Sequence, residues 1–332
     1  MKLGILGSGA IVHTFLSQIS KTNEIELCAI CGREKSKDTL EKLSLQYHIK
    51  KIYYDYDEML KDDEITEIYV ALPNSLHYEN SLLALNAEKN VICEKPFTSN
   101  MKELLHLIDI AKKKSLFLFE AIIPMYLENY FSIKEDLNKI GRVKILQLDF
   151  SQYSSRYNNF KQGETPIAFD PLYSGGALMD LNIYNIHFTV GLFGLPEEIK
   201  YYPNMERGID TSGILILSYK DFKASLVASK DCASQSSGKI LGTEGAITVN
   251  SPTSMCKSYT LNIYNEYTDT KNHNLYPEIM IPEFKAFDKC IKERDFSFCH
   301  KMLDHSISVM KVCQKAREEA GIIFPADKVK EI

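Results

Sequence analysis

The sequence of 332 residues lacks several features that mark particular classes of protein. Its 39 Lys and Arg against 44 Asp and Glu leave a formal net charge of −5, without the basic excess that binds nucleic acid. No apolar run approaches the roughly 18 residues of a membrane span. The apolar N-terminal segment is interrupted by glycines and lacks the cleavage site of a signal peptide. We therefore expect a cytoplasmic protein that binds neither nucleic acids nor membranes.

The eight cysteines lack the spacing of a metal site or of a disulfide framework. Cys28 and Cys31 form a single C-x-x-C inside the apolar run IELCAIC, which predicts a strand. Three residues of strand span about 10 Å, more than the roughly 7 Å between Cα atoms that a disulfide allows. We expect buried, reduced thiols and no metal site.

The hydrophobic pattern changes near residue 121, and a chain of this length favours two domains. In residues 1–121, short apolar runs alternate with amphipathic ones, which predicts a doubly wound parallel sheet of Rossmann type. In residues 122–332, RVKILQLDF has a period of two, and GILILSYKDFKASLVAS and ILGTEGAITV each predict two strands around a turn. We expect a mostly antiparallel open sheet covered by helices on one face. In the first domain, Asn100 and Glu103 predict a capped helix start.

The stretch LGILGSGAIVHTF contains a glycine pair after an apolar strand and before a helix. Glycines there permit a tight turn and let a pyrophosphate approach the helix amides. Val12 replaces the third glycine of the dinucleotide fingerprint, so the glycine pair alone is a weak signal. The strand before the motif and the helix after it strengthen the prediction. A structural turn is the alternative. The predicted dinucleotide-binding residues are Gly7, Ser8, Gly9, Ala10 and Ile11.

The second predicted strand ends in CAICGREKSK, without the Asp or Glu that holds the ribose hydroxyls of NAD. Arg33 follows, with Lys35 behind it, and a guanidinium is suited to the 2′-phosphate of NADP. We predict that NADP is the preferred cofactor and that NAD is possible. In the alternative, Arg33 and Lys35 are solvated and Glu34 turns to the ribose.

Two groups of residues follow later strands of the predicted parallel sheet, at the edge where open sheets bind ligands. The residues assigned to the cofactor site are Leu72, Pro73, Asn74 and His77 after one strand, and Glu94 and Lys95 after the next. We expect Lys95 to lie close to the nicotinamide. A surface lysine is the alternative.

The apolar segment 174–194, SGGALMDLNIYNIHFTVGLFG, contains Asp180, Tyr184 and His187 at spacings of four and three residues. A helix would place all three on one face. That face is either part of a buried helix whose polar groups find partners or an acid/base cluster at the floor of a pocket.

Four motifs together resemble the glucose-fructose oxidoreductase/inositol dehydrogenase family, called Gfo/Idh/MocA: G-x-G, A-L-P-N-x-x-H, E-K-P and G-G-A-L-M-D-x-x-x-Y. The similarity spans most of the chain and implies an NAD(P)-dependent oxidoreductase acting on CH-OH groups of a sugar, polyol or related small molecule. It also implies that Lys95 lies beside substrate and nicotinamide, facing Asp180 and Tyr184 of the second domain. At the position of Tyr184, the sequence resembles the glucose-fructose oxidoreductase and dimeric dihydrodiol dehydrogenase members, which have Tyr there. Members resembling inositol dehydrogenase have His at that position.

Hydride transfer at a carbonyl carbon requires a proton to move at its oxygen, and the Tyr184 hydroxyl can supply it. The Lys95 ammonium favours the phenolate, and Asp180 can orient Lys95. These three are the predicted catalytic residues, and His187 and Arg156 are substrate candidates. The alternative function is a cofactor-binding sensor or regulator without turnover.

In FEAIIPMYLENY, Ile123 and Met125 stand where the dihydrodiol dehydrogenase-like members have an aromatic residue and an arginine. We expect a more apolar pocket wall, so that glucose or dihydrodiol specificity does not carry over. Relatives in this family commonly associate through the sheet of the second domain, and a sheet covered on one face leaves the other in need of cover. We expect a homodimer or homotetramer.

Overall fold

The computed structural model describes residues 1–329, which form two compact units. The first unit contains Met1–Ala121 and Glu278–Ser306, and the second contains Ile122–Pro277 and residues 307–329. Within residues 1–329, no helix combines the length and the apolar character that crossing a membrane requires.

The first unit is built on a parallel sheet, as the sequence predicted. Its strands are β1 (Lys2–Leu6), β2 (Glu26–Cys31), β3 (Lys51–Tyr53), β4 (Glu67–Val70), β5 (Asn90–Glu94) and β6 (Leu118–Ala121). Its first helices are α1 (Ala10–Ile19), α2 (Lys37–Tyr47), α3 (Tyr56–Leu60), α4 (His77–Asn86) and α5 (Met101–Lys114). The strand order β3-β2-β1-β4-β5-β6 reverses direction between β1 and β4, which is the point where sheets of this type bind nucleotides.

The predicted cap of α5 is confirmed. The side chain of Asn100 accepts a hydrogen bond of 3.0 Å from the Glu103 amide, and the Glu103 carboxylate accepts one of 2.9 Å from the Ser99 amide. Asn100 thereby pairs a backbone donor that the first turn of a helix leaves without a partner, and Glu103 fixes the residue before the cap.

The second unit contains a sheet of eight strands. Its helices are α6 (Glu128–Asp136), α7 (Tyr157–Lys161) and α8 (Ile183–Phe193). Its strands are β7 (Val143–Ser151), β8 (Glu198–Glu206), β9 (Ile209–Ser218), β10 (Lys223–Ser229), β11 (Gly238–Gly242), β12 (Gly245–Val249), β13 (Tyr259–Ile263) and β14 (Tyr267–Lys271). The order is β14-β13-β12-β11-β7-β10-β9-β8, in which β7 and β10 are parallel and the other neighbours are antiparallel.

The two faces of this sheet differ, as the sequence predicted. On one face Leu148, Leu215 and Leu226 are buried, and Asn185 of α8 donates a hydrogen bond to a carbonyl of β10. On the other face the side chains of Tyr202 and Ile214 are exposed. Helices therefore cover one side of the sheet, and the outward side chains of the other include large apolar ones.

The last helices are α9 (Ile281–Glu293) and α10 (Phe296–Glu319). The sequence analysis included residues 278–306 in the second domain, whereas in the structure they pack with the first unit. The ring centroids of Phe284 and Phe15 lie 4.6 Å apart, as do those of Phe287 and Phe119. Aromatic burial against α1 and β6 explains the return of the chain to the first unit.

Candidate active site

The glycine-rich turn after β1 is shaped by a close backbone approach. Gly7 has φ of 128°, and a Cβ built on it would lie 2.3 Å from the carbonyl oxygen of Ala71. Its amide donates a hydrogen bond of 2.9 Å to the carbonyl of Cys31. Gly7 therefore fixes this turn between β2 and β4, and any other residue would clash there.

Gly9, immediately before α1, has a different environment. Apart from Gly9 itself and its two chain neighbours, no heavy atom of the described residues lies within 4 Å of a Cβ built on Gly9. The packing of the protein itself does not require glycine here, whereas a ligand that approaches the backbone closely would. Within residues 1–329 no side chain caps α1, and its first turn, Ala-Ile-Val, carries no carboxylate. The open helix start fits the pyrophosphate of a dinucleotide.

Arg33 follows β2 directly and has extended backbone angles, φ −71° and ψ 152°. Its side chain is exposed, as are those of Glu34 and Lys35. Cys31, at the end of β2, is buried and burial raises the pKa of its thiol to about 12, so it stays neutral. In the described part of the chain all eight cysteine thiols are free and seven are buried, as the sequence predicted, but Cys232 is exposed.

His77, which the sequence analysis assigned to the cofactor site, connects two loops at the edge of the sheet. The ring is fully buried, with Nδ1 2.8 Å from the carbonyl oxygen of Pro96 and Nε2 2.8 Å from that of Leu72. Burial lowers the pKa of His77, although the two carbonyls oppose this effect. His77 thus ties the loop after β4 to the loop after β5.

Buried hydrogen bonds fix the turn that carries Lys95. Glu94 is buried and accepts a hydrogen bond of 2.5 Å from the Tyr69 hydroxyl, while burial raises the pKa of its carboxyl group. Beyond the cis peptide bond between Lys95 and Pro96, the Phe97 amide donates a hydrogen bond of 3.1 Å to Glu120. Lys95 itself is partly exposed, so a fixed backbone presents its ammonium at the end of β5.

In the second unit, two glycines begin the segment that contains Asp180. A Cβ on Gly175 would lie 2.9 Å from the carbonyl oxygen of Ala168. Gly176 has φ of 104°, and a Cβ there would lie 2.0 Å from Oδ1 of Asp210. Oδ2 of Asp210 accepts a hydrogen bond of 2.7 Å from the Leu178 amide. A buried carboxylate therefore anchors the start of this helical segment.

Asp180, Tyr184 and His187 lie on one continuous helical segment but do not share one environment. Leu178–Asn182, which includes Asp180, is a turn of π-helix, and α8 follows it. Asp180 and Tyr184 are partly exposed, whereas His187 is fully buried. The segment therefore has a buried side and, at Asp180 and Tyr184, a partly exposed acid and phenol. Burial sets His187 apart from the accessible pair.

The carboxylate of Asp180 has a partner that the sequence analysis missed. Oδ2 of Asp180 lies 2.6 Å from Nζ of Lys230, whose side chain is only 3% exposed. The sequence analysis assigned Lys95 as the partner of Asp180. Lys230 follows β10, 50 residues beyond Asp180, and no spacing rule connects them. The packing of β10 against the π-helix brings the two charges together. On the neighbouring strand β7, the ring centroid of Phe150 lies 5.8 Å from that of Tyr184.

The remaining candidates lie elsewhere in the second unit. Arg156 is exposed directly before α7. Met125 is buried, and a Cβ on Gly191 of α8 would lie 2.7 Å from its Cε atom, so Met125 packs against this helix. Ile123, the other residue of the expected apolar wall, is partly exposed.

Comparison with known proteins identifies similar chains. Residues 1–121 match the family model described as "Oxidoreductase family, NAD-binding Rossmann fold", and residues 136–248 match the GFO/IDH/MocA C-terminal domain. The chain is 32% identical over 333 residues to the scyllo-inositol 2-dehydrogenase (NADP(+)) of Bacillus subtilis, with 99% of each chain covered. It is 28% identical over 257 residues to the trans-1,2-dihydrobenzene-1,2-diol dehydrogenase of Danio rerio, covering 75% of this chain and 74% of that one.

A solved structure of a 3-ketoreductase from Actinomadura kijaniata, in complex with NADP and TDP-benzene, matches with a TM-score of 0.83. The sequence identity is 19%, and the match covers 96% of this chain and 97% of that chain. At this identity the likeness concerns the fold.

Proposed function

The chain belongs to the Gfo/Idh/MocA family of NAD(P)-dependent oxidoreductases, and from this premise we propose that it transfers a hydride between NADP and a ring CH-OH carbon of a cyclic polyol or sugar. The observation that carries the proposal is the 32% identity to an NADP-dependent scyllo-inositol dehydrogenase, which extends over 99% of both chains. Other relatives are named as dehydrogenases of a cyclic diol and of D-xylose, so a cyclic polyol is the substrate to test first.

In the proposed reaction, Tyr184 moves the proton. When the substrate is oxidised, the phenolate of Tyr184 takes the hydroxyl proton while the carbon loses a hydride; in reduction, the phenol returns it. The bound nicotinamide accepts or supplies the hydride. An ordinary phenol has a pKa of about 10 and is therefore mostly protonated at neutral pH. A neighbouring ammonium favours the ionised form, which is the base. We assign that part to Lys95.

Features within each unit support these roles separately. The partly exposed Lys95 follows β5 on a turn held by His77, Tyr69 and Glu120. Tyr184 is partly exposed at the start of α8, directly after the π-helix that Asp210 anchors. Reacting groups on fixed backbones lose little orientation freedom when they act, which favours catalysis over binding alone.

We propose that Arg33 selects NADP. It is exposed directly after the strand that in NAD enzymes ends in a carboxylate, and here Cys31 and Gly32 stand in that place. A guanidinium can bind the 2′-phosphate with two parallel hydrogen bonds, and the lack of a carboxylate removes a repulsive charge.

The experiment is a steady-state assay of nicotinamide absorbance with scyllo-inositol, myo-inositol and D-glucose, each with NADP and with NAD. We expect turnover of a cyclic polyol and a higher kcat/KM with NADP. In parallel, cofactor binding is measured by fluorescence titration. Saturable NADP binding without turnover of any compound in either direction would contradict the proposal and favour the sensor.

A further inference from the structure

We propose that Lys230 is a positioning residue of this reaction: its ammonium holds the Asp180 carboxylate in the orientation that proton transfer at Tyr184 requires. The proposal rests on the function proposed above and adds a residue to it. Lys230 follows β10 and belongs to none of the four sequence motifs.

The ammonium of Lys230 contacts a carboxylate, a backbone carbonyl and an aromatic ring. Its Nζ donates hydrogen bonds of 2.6 Å to Oδ2 of Asp180 and of 2.7 Å to the carbonyl oxygen of Ala168, and lies 4.8 Å from the ring centroid of Phe169. A buried ammonium is costly unless charged and polar groups surround it. Since Asp180 supplies the negative charge among these contacts, the burial of Lys230 depends on that carboxylate.

The same carbonyl connects Lys230 to the start of the helical segment. The Ala168 oxygen also accepts a hydrogen bond of 3.2 Å from the Gly176 amide, and the Cβ that Gly175 lacks would press against it. Lys230 therefore joins the Gly175–Gly176 turn and the Asp180 side chain at one site. A displacement of Lys230 would move both, and Tyr184 lies one turn further along the helix.

Burial distinguishes the two partners. The Lys230 side chain is 3% exposed and that of Asp180 is 34% exposed. The ion pair thus has an inner cation, enclosed by protein, and an outer anion that reaches solvent. In such a pair the buried ammonium fixes the orientation of the accessible carboxylate. This arrangement is expected of a group that supports a reacting side chain.

A second ion pair of the same unit provides a matched control. Lys271 lies 2.8 Å from Asp136 and 5.9 Å from the ring centroid of Tyr259, so it also combines a carboxylate with an aromatic ring. Its side chain is 19% exposed. Lys271→Met removes the same chemistry at a place to which we assign no part in the reaction.

The test compares Lys230→Met, Lys230→Arg, Asp180→Asn and the double variant Asp180→Asn/Lys230→Met with the wild-type protein and Lys271→Met. We expect Lys230→Met to lower kcat by about 10- to 100-fold, as misplacement of a reacting group by about 1 Å does. NADP affinity should change less than twofold, and Lys230→Arg should recover part of kcat. The double variant should have the kcat of Asp180→Asn alone, because Lys230 acts through Asp180.

Equilibrium unfolding of every variant separates positioning from stability. If Lys230→Met does not fold, the double variant, which removes both charges of the Asp180–Lys230 pair, still gives the comparison with Asp180→Asn. Wild-type kcat in Lys230→Met, or an equal loss in Lys271→Met, would overturn the proposal while leaving the function intact. A double variant much slower than Asp180→Asn would also overturn it. Absence of turnover in the wild-type protein would refute the function itself, and the positioning role with it.

Discussion

Gly176 and Asp210 are so close that no side chain fits between them: a Cβ on Gly176 would lie 2.0 Å from Oδ1 of Asp210. Asp210 is buried on β9, and its other oxygen accepts hydrogen bonds of 2.7 Å from the Leu178 amide and from the Tyr201 hydroxyl. The second glycine of the G-G-A-L-M-D motif is therefore required by a carboxylate on another element.

This contact predicts that Gly176→Ala lowers the free energy of unfolding by about 2 kcal/mol or more, through backbone strain and the displaced carboxylate. Gly194→Ala is the control, because Gly194 also has a positive φ, 75°, but no described heavy atom lies within 4 Å of its Cβ position. That variant has backbone strain alone, about 1 to 3 kcal/mol for its φ of 75° and ψ of −163°, and Gly176→Ala should cost more than it does. Denaturant unfolding compares them, and equal losses would contradict the role of Asp210.

Asp210 also predicts a dependence of stability on pH. Burial raises its pKa to about 6, although the hydrogen bonds from Tyr201 and Leu178 and the nearby Lys230 lower it. Because the folded protein then holds the proton more tightly than the unfolded chain, the contribution of Asp210 is full below about pH 4 and is lost as the pH rises through 6. The unfolding free energy of wild type minus that of Asp210→Asn should fall by about 1 to 3 kcal/mol across this range. A difference that rises with pH would show that the pKa is lowered.

Local rules predicted much of the first unit. The alternation of strand and helix predicted the parallel sheet, and Asn100 with Glu103 predicted a cap that the structure contains. These signals lie within a few residues of each other in the sequence. Gly7 was identified as the glycine of a tight turn, but the Ala71 carbonyl that requires it follows β4 and was not predictable.

The missed features depend on contacts between distant parts of the chain. Lys230 is a single charge after a strand, and the packing of β10 against the π-helix brings it to Asp180. The return of residues 278–306 to the first unit depends on Phe284 and Phe287, which pack against α1 and β6. An amphipathic pattern predicts a buried face but does not identify what buries it.

We propose that the uncovered face of the eight-stranded sheet joins copies of this chain. On that face Ile214 of β9 is 44% exposed and pairs across strands with Tyr202, which is 63% exposed, and with Val227. Ile214→Lys should therefore lower the mass measured by light scattering at micromolar concentration. Leu172→Lys, which changes an exposed residue away from the sheet, should leave that mass unchanged. A monomeric wild-type protein would contradict the proposal.

Arg33 is expected to determine the choice of cofactor. Arg33→Ala should weaken NADP binding by about 10- to 100-fold, the effect of losing hydrogen bonds to a charged phosphate, and should change NAD binding little. Lys35→Ala is the control and should have the smaller effect, since Lys35 lies within the following 3₁₀ turn. Fluorescence titration with both cofactors provides the measurement. Tighter binding of NAD than of NADP by the wild-type protein would show that the site is wrongly assigned.

The last prediction concerns the chemical step. Tyr184→Phe keeps the ring beside Phe150 and removes only the hydroxyl, so folding should be preserved while kcat falls by about 10² to 10⁴, the usual contribution of a general acid or base. NADP affinity should change little, because we assign the phosphate contacts to Gly7, Gly9 and the start of α1. Tyr153→Phe is the control, since its hydroxyl donates a hydrogen bond of 2.7 Å to a neighbouring exposed side chain, Asn158.

Lys95→Met should lower kcat in the same direction and disturb cofactor binding modestly, because we expect its ammonium beside the nicotinamide as well as the phenol. If Tyr184 and Lys95 act as one unit, the double variant will be little slower than the slower single variant. Rates that multiply would show two independent contributions. Near-normal turnover by Tyr184→Phe would refute the proton transfer assigned to it, and since His187 is fully buried, Asp180 would be the next residue to test.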